Sequence, residues 1–322
     1  MHAAARPLNS PVAAPPRARV WSETVPLADV GSPRVAALLR RFGVAVDVAV
    51  RPWDLRSVAE LAARCEGEGV VLGVWPMLDD RAGRWASVYN AHDFRDLALR
   101  TLDACAPSWT RAPAFAARRP PRLAVDLEPS FVAMERALAR FVAPRARRAG
   151  EPGRGRSPRS SLRPGRFDAG RDAIRDLVAE ARRRGVEPAA AALPPAIFGA
   201  AWERVLGTPI RGVDFEAVSA MAYTSIVEGW SRGLVTRGRA LRLLAWTSAR
   251  AVRLLGARAA VSLGAVGVGA FGDEPTYRNP RELAEDARVA RRAGVREISL
   301  LDLGGVLARA PSEAWLAALT EG

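Results

Sequence analysis

Short apolar runs alternate with longer amphipathic stretches along almost the whole chain. The apolar runs are rich in Val, Ala, Leu and Ile, and most of them end near a Gly, a Pro or an acidic residue. This combination is typical of buried β-strands rather than helices. Eight strands are predicted, at residues 18–23, 44–50, 70–75, 123–128, 188–193, 217–223, 259–265 and 297–303.

The amphipathic stretches that separate these runs predict helices. They lie at residues 33–42, 58–65, 93–104, 169–184, 197–206, 236–255, 280–293 and 312–319. Gly43, Gly185 and Gly294 each follow a helix and precede a Val that opens the next strand, which is a common helix end. Eight alternations predict a (β/α)8 barrel. An open doubly wound sheet is less favoured, because no Gly-x-Gly-x-x-Gly turn follows the first strand.

Two segments do not fit the alternation. Residues 1–18, rich in Ala and Pro, are predicted to form a flexible tail before a single barrel domain at 19–322. After the fourth strand, an additional helix is predicted at 134–141. It is followed by an Arg-, Pro- and Gly-rich segment, 143–167, which is predicted to be a flexible surface insertion. A phosphate- or membrane-surface-binding arm is the alternative interpretation of this insertion.

The net charge of +14 is unevenly distributed and has an unusual source. All 48 basic residues are Arg, and the segment from Arg145 to Arg166 alone contributes a net +7, half of the total. Exclusive use of Arg indicates a compositional bias rather than a basic binding face, so nucleic acid is not a predicted partner.

Composition also limits the possible chemistry. Without lysine, the chain has no Schiff-base amine and no phosphate-loop lysine. His2 and His92 are too few for a multi-histidine metal site, and Cys65 and Cys105 lack metal-ligand spacing. We therefore predict no metal and no other cofactor, and we expect any chemistry to depend on carboxylates and tyrosine.

The chain also shows no sign of membrane insertion or export. No apolar run reaches the roughly 18–20 residues that span a bilayer. The N-terminus has no apolar signal-peptide core. The prediction is a cytoplasmic protein without a membrane span, and the sequence does not indicate its oligomeric state.

The fourth predicted strand ends in two acids, Asp126 and Glu128. Strand side chains alternate between faces, so both carboxyl groups share a face with Ala124. Neighbouring like charges raise one pKa, which predicts that Glu128 holds a proton at neutral pH and that Asp126 orients or polarises it. The alternative is that both acids are tied to arginines in a structural ion-pair network.

Aromatic rings and further polar groups are predicted at the same end of the barrel, where active sites of this fold lie. A carbohydrate fits such a combination, because its C–H faces stack on rings and its hydroxyls need hydrogen-bond partners. Simple packing of the rings under loops is the alternative. The substrate-binding candidates are Trp21, Glu23, Trp53, Trp75, Trp85, Tyr89 and Asp302, and other residues predicted at this rim are Arg51, Asn90, Tyr223, Asp273, Glu274 and Tyr277.

Asp126-Leu127-Glu128 on the fourth strand and Met221-Ala222-Tyr223 on the sixth resemble the chitinase-like family 18 of glycoside hydrolases. Those enzymes are (β/α)8 barrels with Asp-x-x-Asp-x-Asp-x-Glu on the fourth strand and Met-x-Tyr-Asp on the sixth. The resemblance implies that Glu128 is the proton donor, that Asp126 orients a substrate acetamido group, and that Tyr223 donates a hydrogen bond to it. It implies substrate-assisted cleavage of an N-acetylhexosamine linkage.

The chain departs from that pattern at three positions. Ala124 replaces the deeper Asp, Thr224 replaces the Asp after the Tyr, and Asp302 stands where a Trp is usual. Two alternatives therefore stay open. One is a catalytically inactive carbohydrate-binding or scaffolding barrel; the other is an oxygen-ligated Mg²⁺ or Mn²⁺ site built from Glu23, Asp126, Glu128 and Asp302. The Asp-x-Glu on strand four also resembles the lysozyme-type family 25.

Overall fold

The protein is described from a computed structural model, which covers residues 17–109, 119–129, 165–267 and 272–322. The predicted fold class is confirmed. Eight strands pair in parallel and in chain order, and the eighth closes on the first to form a barrel. The strands are β1 (Arg17–Ser22), β2 (Ala45–Val50), β3 (Leu72–Pro76), β4 (Arg122–Leu127), β5 (Glu187–Ala192), β6 (Ala217–Met221), β7 (Ala259–Gly264) and β8 (Glu297–Leu301).

Helices surround the barrel, and their apolar sides face it. They are α1 (Leu27–Val30), α2 (Pro33–Arg41), α3 (Leu55–Glu68), α4 (Ala91–Trp109), α5 (Arg166–Arg183), α6 (Pro194–Phe198), α7 (Ala200–Leu206), α8 (Thr224–Trp230), α9 (Arg237–Leu255), α10 (Pro280–Arg292), α11 (Leu303–Ala308) and α12 (Ser312–Glu321). The local sequence determines where several of these helices begin. The Ser32 and Asn279 side chains cap α2 and α10, each of which has Pro at its first position.

The helix predicted at 197–206 is wrong in one respect, because it is two helices. Gly199 has an extended backbone (φ −155°, ψ 129°) and separates α6 from α7. Three short helices, α1, α8 and α11, were not predicted, since each has too few residues to show a helical repeat.

The alternation predicted for the fourth strand is confirmed. Leu123, Val125 and Leu127 belong to the large apolar core between barrel and helices. Ala124 lies in a second cluster inside the barrel, together with Trp21, Ala49, Trp75, Met77, Trp85, Ala191 and Met221. The acids that share the Ala124 face therefore point toward the barrel axis.

The N-terminal end of the barrel interior is filled by paired charges. Arg19 and Asp47 are buried and form two hydrogen bonds of 2.7 and 2.5 Å. A Cβ at position 73 would lie only 1.8 Å from Asp47 Oδ1, so glycine is required there. Arg122 makes a bidentate contact with Glu297 at 2.5 and 2.7 Å. These buried groups were not predicted from the sequence.

The observed boundaries differ slightly from the predicted ones. β1 begins at Arg17, so the barrel starts two residues inside the predicted tail, and α5 begins at Arg166, inside the predicted insertion. The rest of the tail, the helix predicted at 134–141 and most of the insertion fall outside the described residues. Within the described ranges, no helix combines the length and the apolar character needed to cross a membrane.

Candidate active site

Asp126 and Glu128 lie at the C-terminal end of β4, where the strand leaves the barrel. Asp126 is buried and Glu128 is half-buried. The loop after β3 supports this end, because the backbone N–H of Ala86 donates to the Asp126 carbonyl at 2.8 Å and Ala86 pairs with Leu127. The polypeptide thus fixes both carboxyl groups at the mouth of the barrel.

The two acids have no positive partner in the described part of the chain. Neither of them takes part in any ion pair there, and Asp126 Oδ1 is a buried acceptor without a hydrogen bond. This favours a functional site over the structural ion-pair alternative, since a buried carboxylate without a partner is costly to fold.

The surroundings shift both carboxyl groups toward the protonated form. Burial raises the pKa of Glu128 to about 7, with further contributions from the charges of Glu23 and Glu274. Burial also raises the pKa of Asp126 well above its usual value, and the charges of Glu128 and Glu23 raise it further. The pair therefore retains a proton at a pH where an exposed carboxyl group is ionised.

Glu23, from the loop after β1, differs from these two acids because it has cationic neighbours. Arg84 Nη1 lies 3.3 Å and Arg51 Nη2 3.9 Å from Glu23 Oε1. Burial raises the pKa of Glu23, while the charges of Arg84 and Arg51 lower it. Arg84 is itself held by Asp80 at 2.8 Å. Glu23 is thus a positioned carboxylate at the edge of the acid cluster.

Trp21, Trp75 and Trp85 gather inside the barrel mouth, as predicted, but they are buried rather than open to solvent. Their exposed fractions are 6%, 4% and 6%. Trp21 and Trp75 pack edge to face, with ring centroids 4.9 Å apart. The indole N–H groups of both are buried without an acceptor among the described residues. These two tryptophans therefore offer buried hydrogen-bond donors rather than open stacking faces.

Tyr223 follows β6 and lies close enough to the acids to be affected by their charge. Burial, and then the charges of Asp126 and Glu128, raise the pKa of its phenol well above the usual value, so the hydroxyl stays a donor. Gly264 on β7 makes room for the ring, because a Cβ there would lie 3.0 Å from Tyr223 Cδ1.

The residues after Tyr223 anchor it to neighbouring elements. Thr224 donates to buried Asp286 of α10. Ser225 Oγ donates to the Pro275 carbonyl at 2.8 Å and accepts from the Ala265 N–H at 2.6 Å. The position that differs from the family pattern, Thr224, thus has a structural partner of its own.

Three other predicted substrate-binding residues are either exposed or have contacts of their own. Trp53 is 69% exposed in the turn after β2. Tyr89 packs beside Gly207, and the Arg166 guanidinium lies 5.4 Å from its ring centroid. Asp302 is buried and caps α11, accepting a 3.0 Å hydrogen bond from the Gly305 N–H. Asp302 still contributes negative charge near Glu23.

Other rim residues have mixed outcomes. Glu274 is buried near Glu128, as its loop position predicted, whereas Tyr277 donates to Asp286 of α10 at 2.5 Å. Two exposed tryptophans that border the outer side of Tyr223, Trp202 and Trp246, were missed. They come from separate helices, so no local pattern joined them to the rim.

The oxygen-ligated metal site finds no geometric support. Across the described ranges, no group of three or more His, Cys, Asp or Glu side chains is arranged to hold a metal ion. The acids that were considered for it are instead divided among an Arg-paired edge residue, a helix cap and the Asp126–Glu128 pair.

Comparison with known proteins supports the fold. No protein-family model matches the chain, and a search of curated proteins finds no match. Among solved structures, the chain is similar to the PgaB (BpsB) glycoside hydrolase domain from Bordetella bronchiseptica, with TM-score 0.53 and 13% identity over 96% of this chain and 100% of that one.

Two further structures have a similar barrel. The spore cortex-lytic enzyme SleL from Bacillus megaterium QM B1551 matches with TM-score 0.50 and 10% identity, over 96% of this chain and 74% of that one. A GH5-4 broad specificity endoglucanase from an uncultured bacterium matches with TM-score 0.50 and 12% identity, over 89% and 84%. The chain is therefore a (β/α)8 barrel like those of glycoside hydrolases; at these identities the likeness is one of fold, and membership of family 18 stays a prediction.

Proposed function

We propose that the protein is a glycoside hydrolase that uses Glu128 as its general acid and acts on N-acetylhexosamine-containing saccharides. The observation that carries this proposal is the placement of Asp126 and Glu128 side by side at the barrel mouth, without a basic partner among the described residues. Fold similarity to a glycoside hydrolase domain is consistent with it, and active sites of this fold lie at this end.

Glu128 suits the task because of its proton. A general acid works best when its pKa lies near the operating pH, and burial together with two neighbouring acids raises the pKa of Glu128 to about 7. Its half-buried position leaves access from the barrel mouth. Asp126 is fully enclosed, so it is better placed to orient a bound group than to exchange protons with solvent.

The proposed reaction has two steps. In the first, the Glu128 proton moves to the glycosidic oxygen while the C1–O bond breaks, and the substrate's acetamido oxygen bonds to C1 to form a cyclic oxazolinium ion. Asp126 faces the acetamido N–H, and the Tyr223 hydroxyl donates to the acetamido oxygen. In the second, the Glu128 carboxylate removes a proton from water and the water oxygen bonds to C1. The bond between C1 and the acetamido oxygen breaks, which opens the oxazolinium ring and restores the acetamido group.

Trp21 and Trp75 support the sugar specificity of this proposal. Their buried indole N–H groups and Asp126 Oδ1 are donors and an acceptor without hydrogen-bond partners among the described residues. A polyhydroxylated ligand would satisfy them, whereas an apolar ligand would leave them unpaired at a cost of about 1–3 kcal/mol each. A cytoplasmic location, which we propose on the sequence alone, favours a soluble saccharide fragment or glycoconjugate as substrate.

A second candidate, a saccharide-binding barrel without catalysis, is favoured by two positions. Ala124 brings no carboxyl group to the buried part of β4, and Thr224 is engaged by Asp286. In this case the hydrogen-bond donors and acceptors at the barrel mouth would bind a sugar, and Asp126 and Glu128 would take no part in a reaction.

The test is hydrolysis of chromogenic glycosides, including N-acetylglucosaminide oligomers, by the parent protein, Glu128→Gln and the matched control Glu60→Gln. Glu60 is an exposed acid on α3 that pairs only with Arg56 in the described structure. Turnover by the parent and the control, with loss in Glu128→Gln, supports the proposal. Saccharide binding by all three proteins without turnover supports the second candidate. Absence of both binding and turnover contradicts both.

A further inference from the structure

A large groove lies on the outer side of Tyr223, between α6 and α7 on one wall and α9 on the other. Its volume is about 740 Å³, within the range of about 300–1,000 Å³ that is typical of small-molecule sites. Trp246 and Leu243 on α9 line it and are 54% and 47% exposed. Large apolar side chains that stay exposed together in a concave surface indicate a binding site.

The groove shares two residues with the surroundings of the candidate active site. Met221 and Tyr223 line it, and Met221 also belongs to the apolar cluster inside the barrel that contains Trp21 and Trp75. Tyr223 is close enough to Asp126 and Glu128 for their charge to affect its phenol. A group attached to a sugar that contacts these acids would therefore lie beside Tyr223, which also lines the groove.

The lining of the groove is poor in polar groups that are free to bind. Thr224 already donates to Asp286 and accepts from Arg237 at 3.1 Å. Thr247 is buried, with an exposed fraction of 3%. The Arg250 guanidinium stacks over Phe198 at 5.4 Å and Trp246 at 5.9 Å. Additional sugar units would leave most of their hydroxyls unpaired here, whereas an apolar chain or ring would not.

We propose that this groove binds an apolar aglycone, so that the substrate is a glycoside carrying an alkyl or aryl group rather than a long polysaccharide. This inference rests on the proposed function, since it places the scissile sugar at Glu128 and the aglycone beyond Tyr223. Trp246, Leu243 and Trp202 are the specificity-determining residues. They contact the aglycone and take no part in proton transfer.

The first arm of the test compares methyl and octyl N-acetylglucosaminides, both below the micelle concentration. Each methylene moved from water into an apolar site is worth up to about a fourfold gain in affinity. We expect kcat/KM of the parent to be at least about tenfold higher for the octyl compound. Trp246→Ala and Leu243→Ser should reduce that preference about tenfold and leave the methyl compound unaffected. Trp230→Ala, which removes an exposed tryptophan of α8 outside the groove, should change neither.

The second arm measures binding of the same two compounds to Glu128→Gln by calorimetry, and it does not require turnover. Tighter binding of the octyl compound that is lost when Trp246→Ala is added supports the groove inference, even if the parent hydrolyses nothing and the catalytic proposal fails. Hydrolysis with equal rates for both compounds overturns the groove inference alone.

Two further results would also overturn it. One is that an N-acetylglucosamine tetramer competes with the octyl compound and loses as much affinity on Trp246→Ala as the octyl compound does. The groove would then bind sugars. The other is a dimer in sedimentation that dissociates on Trp246→Ala without any change in ligand binding, because a second copy would then cover the groove.

Discussion

The two ends of the barrel interior shift the pKa of a glutamate side chain in opposite directions. Glu297, at the N-terminal end, is buried, and Glu128, at the C-terminal end, is half-buried. Burial alone would raise the pKa of Glu297, but the charge and hydrogen bonds of Arg122 outweigh it and lower the pKa to about 2. Glu128 has acidic neighbours instead, and its pKa is raised to about 7.

The difference shows which charges of this barrel are structural. At the N-terminal end, each buried charge has a partner of opposite sign, as in the Arg19–Asp47 pair. At the C-terminal end, Asp126 and Glu128 share a site without such a partner in the described structure. A like-charged pair costs folding free energy, so it is expected where function requires it.

The difference between the two ends is tested most strongly by neutralising Glu128 and Glu297 in separate variants. Glu128→Gln should reduce the hydrolysis rate by about 10²-fold or more, because the proton donor is lost. Its melting temperature at pH 8 should equal or exceed that of the parent, because the variant removes an unpaired buried charge. A variant with normal activity, or one whose loss of activity follows from unfolding, would contradict the assignment.

Glu297→Gln should have the opposite effects: it should lower the free energy of unfolding and leave the activity of the folded protein unchanged. It leaves part of the Arg122 charge uncompensated in the barrel interior, and breaking a buried pair costs about 3–5 kcal/mol of unfolding free energy. Urea denaturation measures this loss, with Glu60→Gln as the exposed control. Activity per folded molecule should stay close to that of the parent. A stability equal to that of the control would show that the pair contributes nothing net.

The pH dependence of stability should separate the two glutamates. The lowered pKa of Glu297 stabilises the fold above the unfolded value near 4.5, and this contribution is lost as the pH falls toward about 2. The raised pKa of Glu128 acts in the other direction, since its cost to folding grows as the pH rises from about 4.5 to about 7. The gain from Glu128→Gln should therefore rise through that window and then level off, as followed by denaturation at a series of pH values. A constant difference would contradict the assigned shift.

Glu23→Gln should have the smallest effect on activity, and it tests whether the charge of Glu23 acts on Glu128. The Glu23 charge helps to raise the pKa of Glu128, so its removal should move the alkaline limb of the pH–rate profile to lower pH. The maximal rate should change less than about tenfold, because Glu23 is held by Arg84 and Arg51 at the edge of the site. An unshifted limb would mean that the two carboxyl groups do not interact.

The strands and the acid pair were predictable because each depends on local pattern. Runs of Val, Ala and Leu defined all eight strands to within a few residues, and period-two alternation placed Asp126 inside the barrel. The same rule applied to β1 and β2 would have placed Arg19 and Asp47 inside as well. An apolar strand pattern does not by itself predict them, because it carries no information on which distant charges pair inside the barrel.

Other features depend on contacts between distant segments. The burial of Trp21 and Trp75, the capping role of Asp302 and the engagement of Thr224 by Asp286 all require the closed barrel and its short helices. Trp202 and Trp246 line one groove only because the fold brings α7 and α9 together near the end of β6. No spacing along the chain reports such proximity.

The central claim is that Glu128 loses its proton only near pH 7 rather than near the usual value of 4.5. Infrared difference spectra between the parent and Glu128→Gln, recorded from pH 5 to 9, would test it directly. The account predicts a carboxylic-acid C=O band in the parent that is lost with a midpoint at about pH 7 and is absent from the variant. A parent without that band at pH 5 and above would show that Glu128 is ionised like an exposed glutamate, and it would contradict the account.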